Sequence, residues 1–370
     1  MTNPAASLFQ PFESANLQLK NRILMAPMTR NFCPGGVPGP ASVEYYRKRA
    51  AGGVGLLITE GTIINHPAAS GYPDVPWFYG PDALQGWRAV VDAVHQAGSK
   101  IFPQLWHVGS VREPGLEPNP EVKGYGPSAV LHPVKKEGTV PHAMSQADID
   151  AVVAAYAQAA KDAMQLGFDG IEIHGAHGYL IDQFFWEASN QRTDNYGGSL
   201  ANRVRFAQEI IQAVRAATGP DFPIMLRFSQ WKMGAYTAKL VNSPTELEAF
   251  LQPLTEAGVD LFHCSTRRFY QSEFEGSDLN LAGWTRKISG KPCVTVGSVG
   301  LKGEFLRAFM GKSAPAESLD ELLRRLDANE FDLVAVGRAL ISDPDWAHKV
   351  EQDRFADIKG FDSEDLKTLQ

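Results

Sequence analysis

Eight apolar runs of strand length recur along the chain, at 22–27, 55–60, 100–105, 169–174, 223–227, 259–264, 292–297 and 332–337. Each is rich in Val, Ile, Leu, Phe or Met, and most are nearly unbroken, as expected of strands buried on both faces. Between them the period changes to that of helices. Ser145 followed by Asp148 reads as a capping box. It opens a segment whose Ile149, Val152, Val153, Tyr156, Ala160 and Ala163 share one helical face, and Gly167 can end it. Ser243 with Glu246 reads as a second box, with Pro244 at the first helical position and Leu247, Phe250, Leu251 and Leu254 forming the stripe. Pro253 near the end of that stripe predicts a kink or an early stop. Two further stripes are Ala207, Ile210, Ile211, Val214 and Leu84, Trp87, Val91, Val94, the latter closed by Gly98.

Strands alternating with helices define an α/β protein with a parallel sheet, and eight strands are the number that closes one. The expected fold is a single (β/α)8 TIM barrel over residues 1–370, with an open doubly wound sheet as the alternative. The longest interruption, about 107–144, is rich in Pro and Gly and would be an insertion after strand 3, with a short hairpin, serving as a lid or as a fixed surface excursion.

Composition narrows the partners. Hydrophobic residues at 44% and charged residues at 21% suit a packed domain. A net charge of -7 provides no general basic field, so nucleic acid is not an expected partner and any anion site must be local. Three widely spaced cysteines, Cys33, Cys264 and Cys293, argue against a disulfide framework and against a four-cysteine iron–sulfur site, and fit a reducing compartment. The first dozen residues have no basic region followed by an apolar run, and no stretch approaches the roughly 20 consecutive apolar residues of a membrane helix. A cytoplasmic protein is the expectation.

The polar residues fall at one end of the predicted strands. Thr29, Gly61, Gln104, Trp106, His174, His177, Arg227, Gly297, Ser298, Gly337 and Arg338 all lie at or just beyond C-terminal strand ends, the face on which barrel active sites form. Strands 7 and 8 end in Val296-Gly297-Ser298-Val299-Gly300 and Val336-Gly337-Arg338-Ala339. Glycines admit close approach of backbone N–H groups to a phosphate, and Arg338 adds a charged fork. Phosphate binding is favoured here over plain tight turns. The stretch His174-Gly175-Ala176-His177-Gly178-Tyr179 has three readings. The histidines are zinc ligands, although no third ligand is evident; or they are structural; or they donate hydrogen bonds to a substrate oxygen, with Tyr179 as a proton donor beside them.

These motifs resemble the Old Yellow Enzyme family of FMN-dependent ene-reductases across nearly the whole length. They include Ala26-Pro27-Met28-Thr29-Arg30, Gln104-Leu105-Trp106-His107, Phe168-Asp169-Gly170-Ile171-Glu172-Ile173 leading into the histidine stretch, 190–199, Asn202-Arg203, and Asp343-Pro344-Asp345-Trp346. The resemblance implies FMN as cofactor, NADPH or NADH as electron donor, a small unsaturated substrate and a homodimer. It implies that Pro27, Met28, Thr29, Gly61, Gln104 and Arg227 contact the flavin and that Gly297, Ser298, Gly337 and Arg338 hold its phosphate. His174 and His177 would grip the substrate oxygen, Tyr179 would donate the proton, and Trp106 would be a pocket wall. Glu172 is expected to be a structural polar group in the barrel interior, and the cysteines to pack.

The chain departs from the family pattern in Phe228-Ser229-Gln230-Trp231-Lys232 and in 264–278. Both segments either shape the substrate mouth or form structural loops with ion pairs. The main rival from another class is a barrel glycosidase using Glu60 and Glu172; a zinc hydrolase and a non-catalytic flavin carrier are the others.

Overall fold

Residues 3–14, 16–303, 305–306 and 310–370 are described in a computed structural model of the chain. All eight predicted strands form: β1 (Ile23–Met25), β2 (Leu56–Ile63), β3 (Lys100–Trp106), β4 (Ile171–His177), β5 (Ile224–Lys232), β6 (Leu261–Ser265), β7 (Cys293–Val296) and β8 (Leu333–Val336). They pair in parallel in chain order, and β8 pairs with β1, so the sheet is a closed barrel rather than an open one. Helices stand between successive strands, among them α1 (Pro40–Ala51), α2 (Pro81–Gln96), α3 (Gln146–Leu166), α4 (Leu180–Phe185), α5 (Leu200–Thr218), α6 (Pro244–Ala257) and α7 (Leu281–Ser289).

Alternation along each strand sends every second side chain inward. At the N-terminal end the inward residues are apolar: Leu24, Leu56, Phe102, Met225, Leu261, Val294 and Leu333 form one buried cluster. A short antiparallel pair, Phe12–Glu13 with Gln18–Leu19, closes that end, and its Phe12 and Leu19 join the cluster. Two residues further on, the same faces turn polar, with Gln104, Arg227 and His263. Glu172 is sealed among them, accepting from Gln104 Nε2 at 2.7 Å and bonded to His263 Nδ1 at 2.6 Å. That is the structural role expected for it, and it removes Glu172 from any glycosidase pair.

Several elements differ from the sequence expectation. β5 runs five residues past Arg227, because Ser229, Gln230 and Lys232 satisfy their polar groups inside the protein and so break the apolar pattern without ending the strand. The helix from Pro244 continues through Pro253 to Ala257 with no early stop, since Leu247, Phe250, Leu251 and Leu254 are all buried by it. Ser243 caps this helix, but Glu246 accepts from Asn242 N rather than closing the box. The Ser145–Asp148 box is complete, and Gly167 ends α3 in a left-handed conformation.

The 107–144 excursion contains no hairpin. Its two short strands, Tyr125–Gly126 and His142–Ala143, pair in parallel, as a long connection rather than a tight turn joins them. Arg112 pins the excursion to itself, donating to Leu116 O, Asn119 O and Val122 O, and to the loop after β2 through Ser70 O. Its His132 reaches the carbonyl of Gly178 at 3.0 Å. These bonds tie the excursion to the barrel mouth and to the turn after β4. Cys33, Cys264 and Cys293 are free and buried.

Candidate active site

A cavity of ≈ 510 Å³ opens at the C-terminal ends of the strands, within the range of ligand sites. Pro27, Met28, Thr29, Gln104, Trp106, His174, His177, Tyr179, Arg227, Gly297, Ser298, Gly337 and Arg338 all line it. Strand direction explains this convergence, since each motif follows or ends a parallel strand. Gly61 is the exception among the predicted residues. It lies within β2, where a Cβ would sit 2.4 Å from Trp106 Cε3, so its lack of a side chain lets the indole pack.

One end of the cavity suits a phosphate. Gly297 has φ 131°, and a Cβ there would meet Thr266 O at 2.5 Å, so the β7 loop requires glycine. Ser298 follows at φ 57°. Its Oγ and an Arg338 N–H both reach Gly303 O, at 3.1 and 3.0 Å, which ties the β7 and β8 loops together. Gly297→Ala is expected to cost about 1–3 kcal/mol in urea-unfolding stability and to release FMN on gel filtration; unchanged FMN content would remove this loop from the phosphate site. The opposite wall offers polar atoms to a planar ring. Arg227 Nε and Trp106 Nε1 are buried without a partner, and both residues line the cavity. A group presenting acceptors at that wall and a phosphate at the glycine loops fits these residues, and FMN has both.

Glu60 braces the chain after β1. It is buried, and its Oε2 accepts from Arg30 N at 2.8 Å and Asn31 N at 3.3 Å, holding the segment after Thr29. Burial, partly offset by those amides, pushes its carboxyl up to about 7. An unfolded glutamate ionises at its ordinary value of 4.5, so the native state binds the proton more tightly between those values. The resulting stabilisation, about 3 kcal/mol at most, is complete below pH 4.5 and lost as pH rises through about 7. Thermal unfolding of wild type and Glu60→Gln across this window should differ in slope; parallel curves would refute it.

The reactive turn lies on the other side. His174 Nδ1 accepts from Ala176 N at 3.3 Å, so its proton is on Nε2. His177 has φ 66°, and its Nε2 lies 2.8 Å from Ser265 Oγ, to which Arg227 also donates at 3.4 Å. Burial, then the Arg227 charge, holds both imidazoles well below their ordinary pKa, so both are neutral single donors. Tyr179 is buried at 8% exposure, and its hydroxyl lies 3.0 Å from that of Tyr72. Burial, reinforced by Tyr72, raises its pKa well above 10, so the phenol keeps its proton. Among the described residues no group of three or more His, Cys, Asp or Glu is placed to hold a metal, so the zinc reading lacks its third ligand.

Sequence reasoning missed Tyr72, Met233 and Phe305, which also line the cavity, as does Ser265 from the divergent 264–278 segment. Tyr72 lies in a loop without periodicity, and it stacks on Trp106 at 5.6 Å. Trp231, in one of the divergent segments, lines the cavity and stacks on His177 at 4.4 Å.

These residues fit a flavin, which puts the barrel in the class of flavin-dependent oxidoreductases. The chain belongs to the NADH:flavin oxidoreductase / NADH oxidase family, the Old Yellow Enzyme family, whose model matches residues 7–357. It is 36% identical over 359 residues to 12-oxophytodienoate reductase 7 of Oryza sativa subsp. japonica, covering 93% of this chain and 87% of that protein. It is 33% identical to the NADH oxidase of Thermoanaerobacter brockii over 95% of this chain and 52% of that one. A structure of morphinone reductase in complex with tetrahydroNAD superposes with a TM-score of 0.80 at 30% identity, over 97% of this chain and 93% of that chain. The protein is thus an oxidoreductase that uses FMN with NADH or NADPH. No helix among the described residues is long and apolar enough to cross a membrane.

Proposed function

We propose that the protein reduces the activated C=C bond of α,β-unsaturated carbonyl or nitro compounds. The observation that carries this reading is the placement of a protonated, buried Tyr179 beside neutral His174 and His177 on one cavity wall. Names of relatives, 12-oxophytodienoate reductase among them, agree with it. Pro27, Met28, Thr29, Gln104 and Arg227 would contact the FMN ring and ribityl chain, and Gly297, Ser298, Gly337 and Arg338 its phosphate. FMN, when bound, would supply the hydride chemistry that links NAD(P)H to the β-carbon of the substrate.

The chain's own groups do the rest. His174 donates through Nε2–H to the substrate oxygen, and His177 is the second donor through its one ring N–H. As negative charge grows there, these donors favour the transition state over the ground state. Burial, helped by the Arg227 charge, keeps both rings neutral, so neither protonates the oxygen outright. Trp106 and Trp231 flank the histidines and exclude water. Tyr179 then passes its proton to the α-carbon, and Tyr72 at 3.0 Å is placed to replace it. Among the divergent segments, Trp231 would shape the substrate mouth, whereas Gln230 anchors the following loop by accepting from Leu240 N and Val241 N.

The test is the visible spectrum of the purified protein under anaerobic conditions. Flavin bands should bleach with NADPH or NADH and return on adding cyclohexenone. Bleaching without recovery across several enones and nitroalkenes would leave a flavin oxidoreductase of different substrate class.

A further inference from the structure

The turn carrying His177 and Tyr179 is held from outside the cavity. The divergent segment at 229–232 prolongs β5 beside the end of β4, with Lys232 in register with His177. Ser229 Oγ accepts from His177 N at 3.0 Å, and Met233 N donates to His177 O at 3.1 Å. Such holding is needed, because φ 66° is a left-handed conformation that a non-glycine residue seldom adopts unaided.

One further contact is charged. Lys232 Nζ lies 2.5 Å from Asp182 Oδ1, and both side chains are 0% exposed. Asp182 Oδ2 in turn accepts from Gly178 N at 2.7 Å, the amide between His177 and Tyr179. The carbonyl of Gly178 is engaged as well, by Gln183 Nε2 at 2.7 Å and His132 at 3.0 Å. The two peptide units that flank the Gly178 Cα, His177–Gly178 and Gly178–Tyr179, are therefore both fixed. Neither Lys232 nor Asp182 lines the cavity.

A carboxylate in the first turn of α4 needs no buried cation to cap it. Sealing two charges from water is costly, and apolar residues of similar volume usually pack as well or better. Burial pushes the Asp182 carboxyl up, and the Lys232 charge opposes that. Lys232 thus favours the charged form of Asp182, and a charged acceptor binds an amide more firmly than a neutral one does.

We infer that Lys232 and Asp182 are positioning residues, a buried ion pair that orients the Gly178 peptide and, through it, the His177 imidazole and the Tyr179 hydroxyl toward the substrate's oxygen and α-carbon. This rests on the ene-reductase reading above.

Two double variants test it in the FMN-loaded enzyme, both avoiding an unpaired buried charge. Asp182→Leu with Lys232→Met removes the pair and the acceptor for Gly178 N. Asp182→Asn with Lys232→Met restores a neutral acceptor. The first should keep its FMN and reoxidise with cyclohexenone about a hundredfold more slowly, while its reduction by NADPH falls far less. Its affinity for phenol, measured by calorimetry on the oxidised enzyme, should drop about tenfold. The second should recover about tenfold of the lost rate. The inference is overturned if both doubles reoxidise at the wild-type rate, if both half-reactions fall by the same factor, or if the two doubles behave alike. If the wild type itself fails to reoxidise with cyclohexenone, the ene-reductase reading fails instead. Phenol affinity across the two doubles then decides the positioning role on its own.

Discussion

Tyr179→Phe is expected to slow reoxidation of the reduced enzyme by cyclohexenone by about 10²–10⁴-fold, the usual worth of a positioned proton donor. Reduction by NADPH or NADH should stay within about twofold, since that hydride transfer takes no proton from the protein. The substitution is conservative in packing: the ring keeps its edge contact with Trp106 at 4.9 Å and with His174 at 5.1 Å. What it removes is the hydroxyl and its 3.0 Å contact with Tyr72. Because burial keeps the Tyr179 proton in place well above pH 10, the wild-type step should show no loss between pH 6 and 9 from ionisation of this group. Rapid-reaction absorbance of each half-reaction separates the outcomes. A variant that reoxidises at the wild-type rate would move the proton donor elsewhere, with Tyr72 the first candidate.

His174→Leu is expected to lower the rate of cyclohexenone reduction by about 10²–10³-fold, as loss of one donor at a developing oxyanion does. Leucine fills much of the same volume and adds no charge. The ring it replaces is fully committed: Nδ1 accepts from Ala176 N, so Nε2–H is the single proton it can offer to the cavity. Ligands with a carbonyl or phenol oxygen should bind more weakly as well, because the donor acts in the ground state to some degree. His177 would remain, still bonded to Ser265 at 2.8 Å, and one donor cannot hold an oxygen as two do. FMN content and the melting temperature provide the control. An equal fall in both half-reactions with FMN loss would make His174 structural, and an unchanged rate would exclude it from oxygen binding.

Much of this was legible along the chain. The eight apolar runs and the helical stripes between them gave strand number and order, because a strand buried on both faces must be apolar nearly throughout and a helix only every third or fourth residue. Strand direction then placed Thr29, Gln104, His174, Arg227, Gly297 and Gly337 at one end of the barrel. The His174–Tyr179 stretch was readable because its residues are local, crossing one strand end and one turn.

Pairings between distant loops were not readable. Tyr72 and Tyr179 are 107 residues apart, His177 and Ser265 are 88, and Asp182 and Lys232 are 50. Local periodicity tells which face a residue takes, and says nothing of which loop will face it once the barrel closes. Gly61 is a different case: the family resemblance implied a flavin contact, whereas the structure shows that its missing side chain makes room for Trp106 and that it does not line the cavity. The charge states also belong to tertiary structure. Histidines 174 and 177 are neutral and Tyr179 is protonated because closure of the barrel buries them beside Arg227 and Tyr72, and desolvation is a property of the whole fold rather than of any stretch of sequence.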